Sequence, residues 1–180
     1  DRAHQFREMH EARETQLVVA MTAKEQREYI PAEIMGAAPV VSNLAFSIHD
    51  APMWMFSIIG SRLHATWAKA VAGGLETRLR YSNTLVYNTF PLPQLSNDQR
   101  NELSGHAMEI IRIREPYIAD GKSLAWLYDT ETRPEDLARA HLDLDEYLES
   151  IYIGRRFKDD AERLEHLFKL YTRTNRTMNG

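Results

Sequence analysis

Glu76 and Arg78, two positions apart in the run GLETRLRYSN (residues 74–83), are the side chains of this sequence best shaped to read a nucleobase edge. A guanidinium is a planar fork that matches O6 and N7 of guanine, and a carboxylate accepts from the N4 amine of cytosine. The two together can read one C·G pair in a major groove. In extended backbone, residues two apart face the same way. An exposed Glu–Arg ion pair contributing at most about 1 kcal/mol is the other reading, and the residues alone leave both open. Arg80, Tyr81, Ser82 and Asn83 follow directly, with donors suited to phosphate oxygens, contacts that fix register while specifying little.

Other chemistry is poorly supported. The seven His are scattered without the paired spacing of zinc ligands, and there is no Cys for a thiolate site or a disulfide. Asp143, Asp145, Glu146 and Glu149 crowd one stretch, but beside an apolar helical stripe such a run reads as a solvated face, so no acid/base pair is assigned. Gly73-Gly74 lacks the G-x-G-x-x-G frame of a dinucleotide or adenosylmethionine site and is explained as a helix terminator. Ser61, Ser82 and Ser104 have no nucleophile-elbow context.

The elements that must position the Glu76–Asn83 run come from periodicity. Residues 16–21 (QLVVAM) and 40–48 (VVSNLAFSI) are short, apolar and rich in Val, and read as strands. Tyr29-Ile30-Pro31 reads as an edge strand between them, since Pro has no N–H for a central one. Asp50 is expected to cap a helix that tolerates Pro52 in its first turn and runs to about Ala72, apolar on nearly every side and therefore buried, with Trp54 and Trp67 in the core. The polar run 74–83 is then an exposed loop, followed by a short strand at 85–87.

Phe90-Pro91-Leu92-Pro93 is a stiff connector, because each Pro fixes its own φ and keeps its predecessor out of the helical region. It separates a first domain, residues 1–93, from a second, residues 94–180, that is helical throughout. Ser96 with Gln99, and Thr132 with Glu135, match the capping box at two helix starts. Leu103, Ala107, Ile110, Ile111 and Arg114 form the first stripe, closed by Pro116. Leu137, Ala140, Leu144, Leu148 and Ile151 form the second, and Leu164, Leu167, Phe168 and Tyr171 the third. The fold class expected is α+β: a small mixed domain of short strands around a buried helix, followed by an all-α helical C-terminal domain.

With 180 residues and 43% hydrophobic composition the chain suffices for one or two cores. It begins with Asp in a polar, helix-prone stretch and reads as a piece of something longer. No apolar run reaches the roughly 18 residues of a membrane span, and no secretion signal opens it, so a cytoplasmic location is expected. The net charge of −4 argues mildly against a nucleic-acid partner. Its distribution argues the other way: residues 60–82 hold Arg62, Lys69, Arg78 and Arg80 against Glu76, whereas residues 121–150 hold eight acidic side chains against three basic. Arg62 and Lys69 are read as snorkelling outward from the buried helix rather than as ligands.

The segment Ser61–Pro93 resembles the end of the target-recognition domain of MmeI-like enzymes, single-chain type II proteins that join a nuclease, an adenine-N6 methyltransferase and a recognition domain. The likeness rests on Ser61-Arg62-Leu63-His64 with Trp67, the double Gly, Arg80-Tyr81-Ser82, and Val86-Tyr87-Asn88 leading into Phe90-Pro91-Leu92-Pro93, with Arg27-Glu28-Tyr29-Ile30-Pro31 earlier. Ser123-Leu124 with Leu127-Tyr128-Asp129, Ala140-His141 with Leu144-Asp145, and Arg163 before Leu167-Phe168 and Leu170-Tyr171 resemble the helical C-terminal domain of the same proteins.

The resemblance implies a sequence-specific module for double-stranded DNA, attached to an upstream methyltransferase domain of the same chain that uses S-adenosylmethionine. Such enzymes carry a Gly-rich cofactor motif and an Asn-Pro-Pro-Tyr motif upstream. This sequence has neither, and Asn88-Thr89-Phe90-Pro91 has the wrong order to cup a flipped adenine. No catalytic residue, cofactor site or metal site is therefore assigned to these residues. The resemblance also implies either Glu-x-Arg or Lys-x-Asp at the position of Glu76 and Arg78, which favours base recognition over an ion pair. A helical protein-interaction module carried by residues 95–180 is the alternative reading.

Overall fold

A computed structural model describes residues 12–178, apart from 25, 40, 43, 73, 76 and 77. It shows the expected α+β class: short antiparallel strands and helices, then helices alone. Strand β1 (Thr15–Ala20) sits between β3 (Ala32–Gly36) and β4 (Ala45–His49), antiparallel to both, with Val18 opposite Glu33 on one side and Ser47 on the other. Leu17 and Val19 alternate into the core, as period-2 backbone requires.

The edge strand begins one residue after the expected Tyr29-Ile30-Pro31, at Ala32. Tyr29 and Ile30 are spent on the core instead. The strand expected over 40–48 is confined to 45–49, with 40 and 43 outside the described residues. Asp50 does not cap a helix. It takes a left-handed φ of 50°, and its carboxylate accepts from the backbone N–H groups of Arg13, Glu14 and Thr15, so it ties the entry of β1 to the exit of β4.

The single helix expected to run to Ala72 is two: α1 (Trp54–Ile59) and α2 (Arg62–Val71). Gly60 and Ser61 break it. Ser61 is extended at φ −84°, ψ 158° and its hydroxyl accepts from the N–H of His64, an N-cap that starts a new helix in a new direction. Gly60 is packed so closely that a Cβ there would lie 3.1 Å from the carbonyl oxygen of Phe56.

A second small sheet, β2 (Thr22–Lys24), β6 (Arg78–Arg80) and β5 (Gly74–Leu75), takes up part of the run expected to be loop. Gly74 thus opens a strand, α2 having ended at Val71 with Ala72 as its C-cap. The strand expected at 85–87 is a π-turn, Asn83–Tyr87.

In the helical part, α3 (Asn97–Ala119) starts at the expected capping box, with Ser96 and Gln99 bonding each other's backbone. Pro116 does not close it. Pro116 and Arg112 are exposed, so the hydrogen bond that Pro cannot donate falls where water can reach the carbonyl of Arg112. The short α4 (Leu124–Leu127) is capped by Ser123.

Helix α5 (Glu135–Ile153) starts later than the Thr132–Glu135 capping box requires. Pro134 keeps Arg133 out of the helical region, and the Thr132 hydroxyl donates instead to the carbonyl of Trp126 at 2.7 Å. Gly154, at φ 75°, ends α5 in the left-handed conformation. Helix α6 (Asp160–Met178) follows.

The buried side chains form one cluster across the Phe90–Pro93 connector, from Leu17 and Phe56 through Leu103 and Ile110 to Leu144 and Leu167. Helix α1 packs on α3, α3 on α5, and α2 on α6, where Trp67 meets the rings of Phe168 and Tyr171. Trp67 is a core residue, whereas Trp54 is half-buried beneath the guanidinium of Arg100.

Candidate nucleic-acid interface

The backbone of β6 leads from the core to the surface. Leu79 is buried, and the alternation of a strand puts position 80 on the other side. Arg80 is exposed. Arg78 pairs its backbone with Lys24 of β2 and Leu75 of β5, and Glu76 lies outside the described residues.

Tyr81 is 3% exposed: its N–H donates to the carbonyl of Met21 and its hydroxyl lies 2.9 Å from Nε2 of His64. In this arrangement Tyr81 acts as an anchor beneath Arg80, and any share it has in a phosphate contact is indirect. Burial holds His64 neutral, its pKa pushed down to about 3, and raises the Tyr81 phenol. Phe90 meets the His64 ring edge-on at 4.7 Å.

Past Tyr81 the chain turns through the π-turn, a rare conformation that occurs mostly as single turns and is frequent at functional sites. Ser82 caps it by accepting from the N–H of Leu85. Asn83 is exposed and its Oδ1 accepts from the N–H and hydroxyl of Thr84. A chain of bonds fixes the far side: the indole of Trp67 donates to Thr89 Oγ1 at 3.1 Å, and that hydroxyl donates to the carbonyl of Leu85 at 2.6 Å. Arg80, Ser82 and Asn83 are therefore presented by backbone pinned to two buried rings of α2, whereas Tyr81 is one of the pins.

Arg62, a member of the basic strip in the sequence, belongs to a different place. It pairs with Glu28 at 2.6 Å and Asp160 at 3.0 Å, and Arg133 pairs with the same Glu28. Asp145 of α5 accepts from the N–H of Arg62 and from the Tyr29 hydroxyl, at 2.8 and 2.9 Å. Glu149, one turn on, pairs with Arg163 at 2.6 Å.

The acidic run on α5 is thus not all solvated. Asp145 is 3% and Glu149 0% exposed, while Glu146 remains outside. Both lie one position past Leu144 and Leu148, at the margin of the apolar stripe, and that adjacency was the signal available in the sequence. A cavity of about 260 Å³ lies among these groups, and its four arginines, 62, 133, 156 and 163, each pair with a carboxylate of the chain. The arrangement is a polar joint between recognition and helical parts. Among the described residues, no three His, Cys, Asp or Glu side chains gather as metal ligands would.

The joint and core set a pH dependence. His64 and His141 are buried and neutral, with pKa values pushed down to about 3, chiefly by burial, and for His141 also by Arg133 and Arg114. Unfolding lets both take protons, so stability is lost as pH falls below the ordinary histidine value of 6.5. Asp145 has the opposite sign. Burial raises it to about 7, so between an unfolded value near 4 and that limit the folded state holds the extra proton and stability falls as pH rises.

His64 and His141, with the partly buried His166 lowered in the same direction, outweigh Asp145 and leave a net loss of about 1 to 2 kcal/mol on going from pH 6.5 to pH 5. In Asp145→Asn the loss over this interval should roughly double, as read from urea midpoints. An unchanged interval would mean that Asp145 is ionised in the fold at pH 5.

Family models described as "MmeI, target recognition domain" and "MmeI, C-terminal domain" match residues 1–94 and 95–179. "DNA methyltransferase A" of Bacillus subtilis (strain 168) is 45% identical over 166 residues, which are 92% of this chain and 18% of that protein. Among solved structures, the type IIL restriction-modification enzyme MmeI in complex with DNA is similar at a TM-score of 0.87 and 32% identity, over 93% of this chain and 22% of that one. The chain spans about a fifth of the length of either relative.

Proposed function

We propose, from the premise that this chain belongs to the MmeI family, that it is the sequence-reading part and helical tail of a bacterial DNA adenine-N6 methyltransferase of the fused restriction-and-modification kind. Its partners are double-stranded DNA and the methyltransferase domain upstream in the same protein, where S-adenosylmethionine would bind. A cytoplasmic location follows from that role. Among the described residues, no helix is long and apolar enough to cross a membrane.

The observation that carries the reading is β6 with its π-turn, an exposed Arg80 and Asn83 pinned to buried His64 and Trp67 on a family-matched recognition domain. Glu76 and Arg78 are proposed to read a base pair. Arg80, Ser82 and Asn83 are proposed to hold the backbone, with Tyr81 as their support. The reading of residues 95–180 as a protein-interaction module has less behind it, because α3 lays its apolar face on α1 and α5 of this same chain.

The isolated chain is expected to bind duplex DNA weakly, with a modest salt slope, because few cations face the phosphates and the rest of the clamp lies upstream. Arg80→Ala should weaken all sequences about equally and lower the slope by about one. Titrations of labelled duplex at several salt concentrations measure both. Tight binding indifferent to salt would sink the reading.

A further inference from the structure

Leu85 stands 51% exposed on the π-turn, between the exposed Thr84 and the fully buried Val86. An apolar side chain alone in the open needs no explanation. This one is held there: Ser82 accepts from its N–H, Thr89 donates to its carbonyl, and Trp67 holds Thr89. Its surroundings also have a chemistry. Between Glu76 and Asp98 the sequence carries no acidic residue, although the chain has 26, and this stretch includes Arg78, Arg80 and the exposed Asn83, Thr84 and Asn88. Such a surface suits a polyanion that also offers small apolar faces.

We propose that Leu85, carried on the π-turn Asn83–Tyr87, makes an apolar contact to the duplex in addition to the polar contacts proposed above. This rests on the DNA-reading function above. Duplex DNA offers such a side chain two apolar partners, the C5-methyl of thymine and the faces of the deoxyribose rings. A single Leu side chain is by itself too small an apolar patch to hold a protein partner. Because the turn is fixed before binding, little conformational freedom is lost on contact, so a single side chain can count. Leu85 would act by dispersion and desolvation, and its removal would release no counterions.

The test uses the full-length protein that contains this chain and duplexes carrying its methylation site. Leu85→Ala should weaken binding about five- to tenfold at every salt concentration, with the salt slope and the thermal midpoint unchanged, and Leu85→Met should restore most of it. Arg80→Ala is the internal contrast, since it should lower the slope. Substituting deoxyuridine for thymine around the site separates the two partners: a loss that appears in the parent and vanishes in Leu85→Ala assigns the methyl, and equal binding assigns the sugar.

If Leu85→Ala binds normally while Arg80→Ala is weakened, Leu85 is not a contact and the DNA reading stands. If neither variant changes, both fall. A lowered thermal midpoint in Leu85→Ala would make the residue structural and overturn the inference.

Discussion

Changing Glu76 to Lys and Arg78 to Asp together in the full enzyme is expected to change which base pair is tolerated at one position of the methylated site, while overall activity persists. Glu beside Arg places an acceptor and a donor fork against a C·G pair, and Lys beside Asp reverses their order along the groove. A reversed pair meets a reversed base pair. Each single change should do worse than the double, because it leaves two like charges against one base pair and a polar edge unpaired. The cost of a mismatch is about 1 to 3 kcal/mol per base pair, or about ten- to a hundredfold in discrimination.

Arg78 sits on β6, whose backbone is held on both sides by β2 and β5, so the register of its backbone is set by main-chain bonds that neither substitution touches. Sequencing the methylated sites left in a host genome gives the answer directly. An unchanged motif with normal activity would make the pair a surface ion pair and move the reading head elsewhere in residues 40–93.

What was legible in the sequence was local. Leu17 and Val19 alternate, Ser96 and Gln99 close a capping box, and Leu137, Leu144 and Leu148 repeat at helical spacing, and each of these appears in the structure because the signal and the element span the same few residues. The helix break at Gly60 was hidden by apolar residues on both sides of it, where burial of both halves masks the change in direction. Ser61, three residues before the His64 N–H it caps, was the readable sign.

The π-turn is hidden in the sequence because Leu85-Val86-Tyr87 has strand composition, while the turn is held by Trp67 and Thr89 from outside that run. Arg114 was legible as part of a stripe but not as what it is, a nearly unexposed guanidinium that donates to the Ala32 carbonyl and the Tyr128 hydroxyl and pairs with Glu33. The partners of such groups come from distant segments, and composition carries no trace of them.

The same blindness hid the pair with the largest expected effect on stability. Arg163→Met should destabilise the chain by about 3 to 5 kcal/mol, because it strands Glu149, which is wholly buried and receives two contacts from the guanidinium, at 2.6 and 2.7 Å. One bond would remain to that carboxylate, from the N–H of Phe157 at 2.7 Å. Arg163 also spans to Asp160, which shares Arg62 with Glu28, so the loss should loosen the joint that seats α2 on the helical part.

The double variant Glu149→Leu with Arg163→Met separates pairing from packing. It removes both charges and keeps similar volume, leaving chiefly the Phe157 N–H without its acceptor at a cost of about 1 to 3 kcal/mol, so it should be more stable than Arg163→Met alone. Urea midpoints at pH 7.5 for the parent chain, the single and the double measure the coupling. Equal destabilisation of single and double would show that water takes over the guanidinium's role, and that the bridge adds nothing beyond its volume. A double recovering half or more of the loss would show that the cost lies in the unpaired carboxylate. The acidic run on α5 would then hold the recognition part in place through its charge.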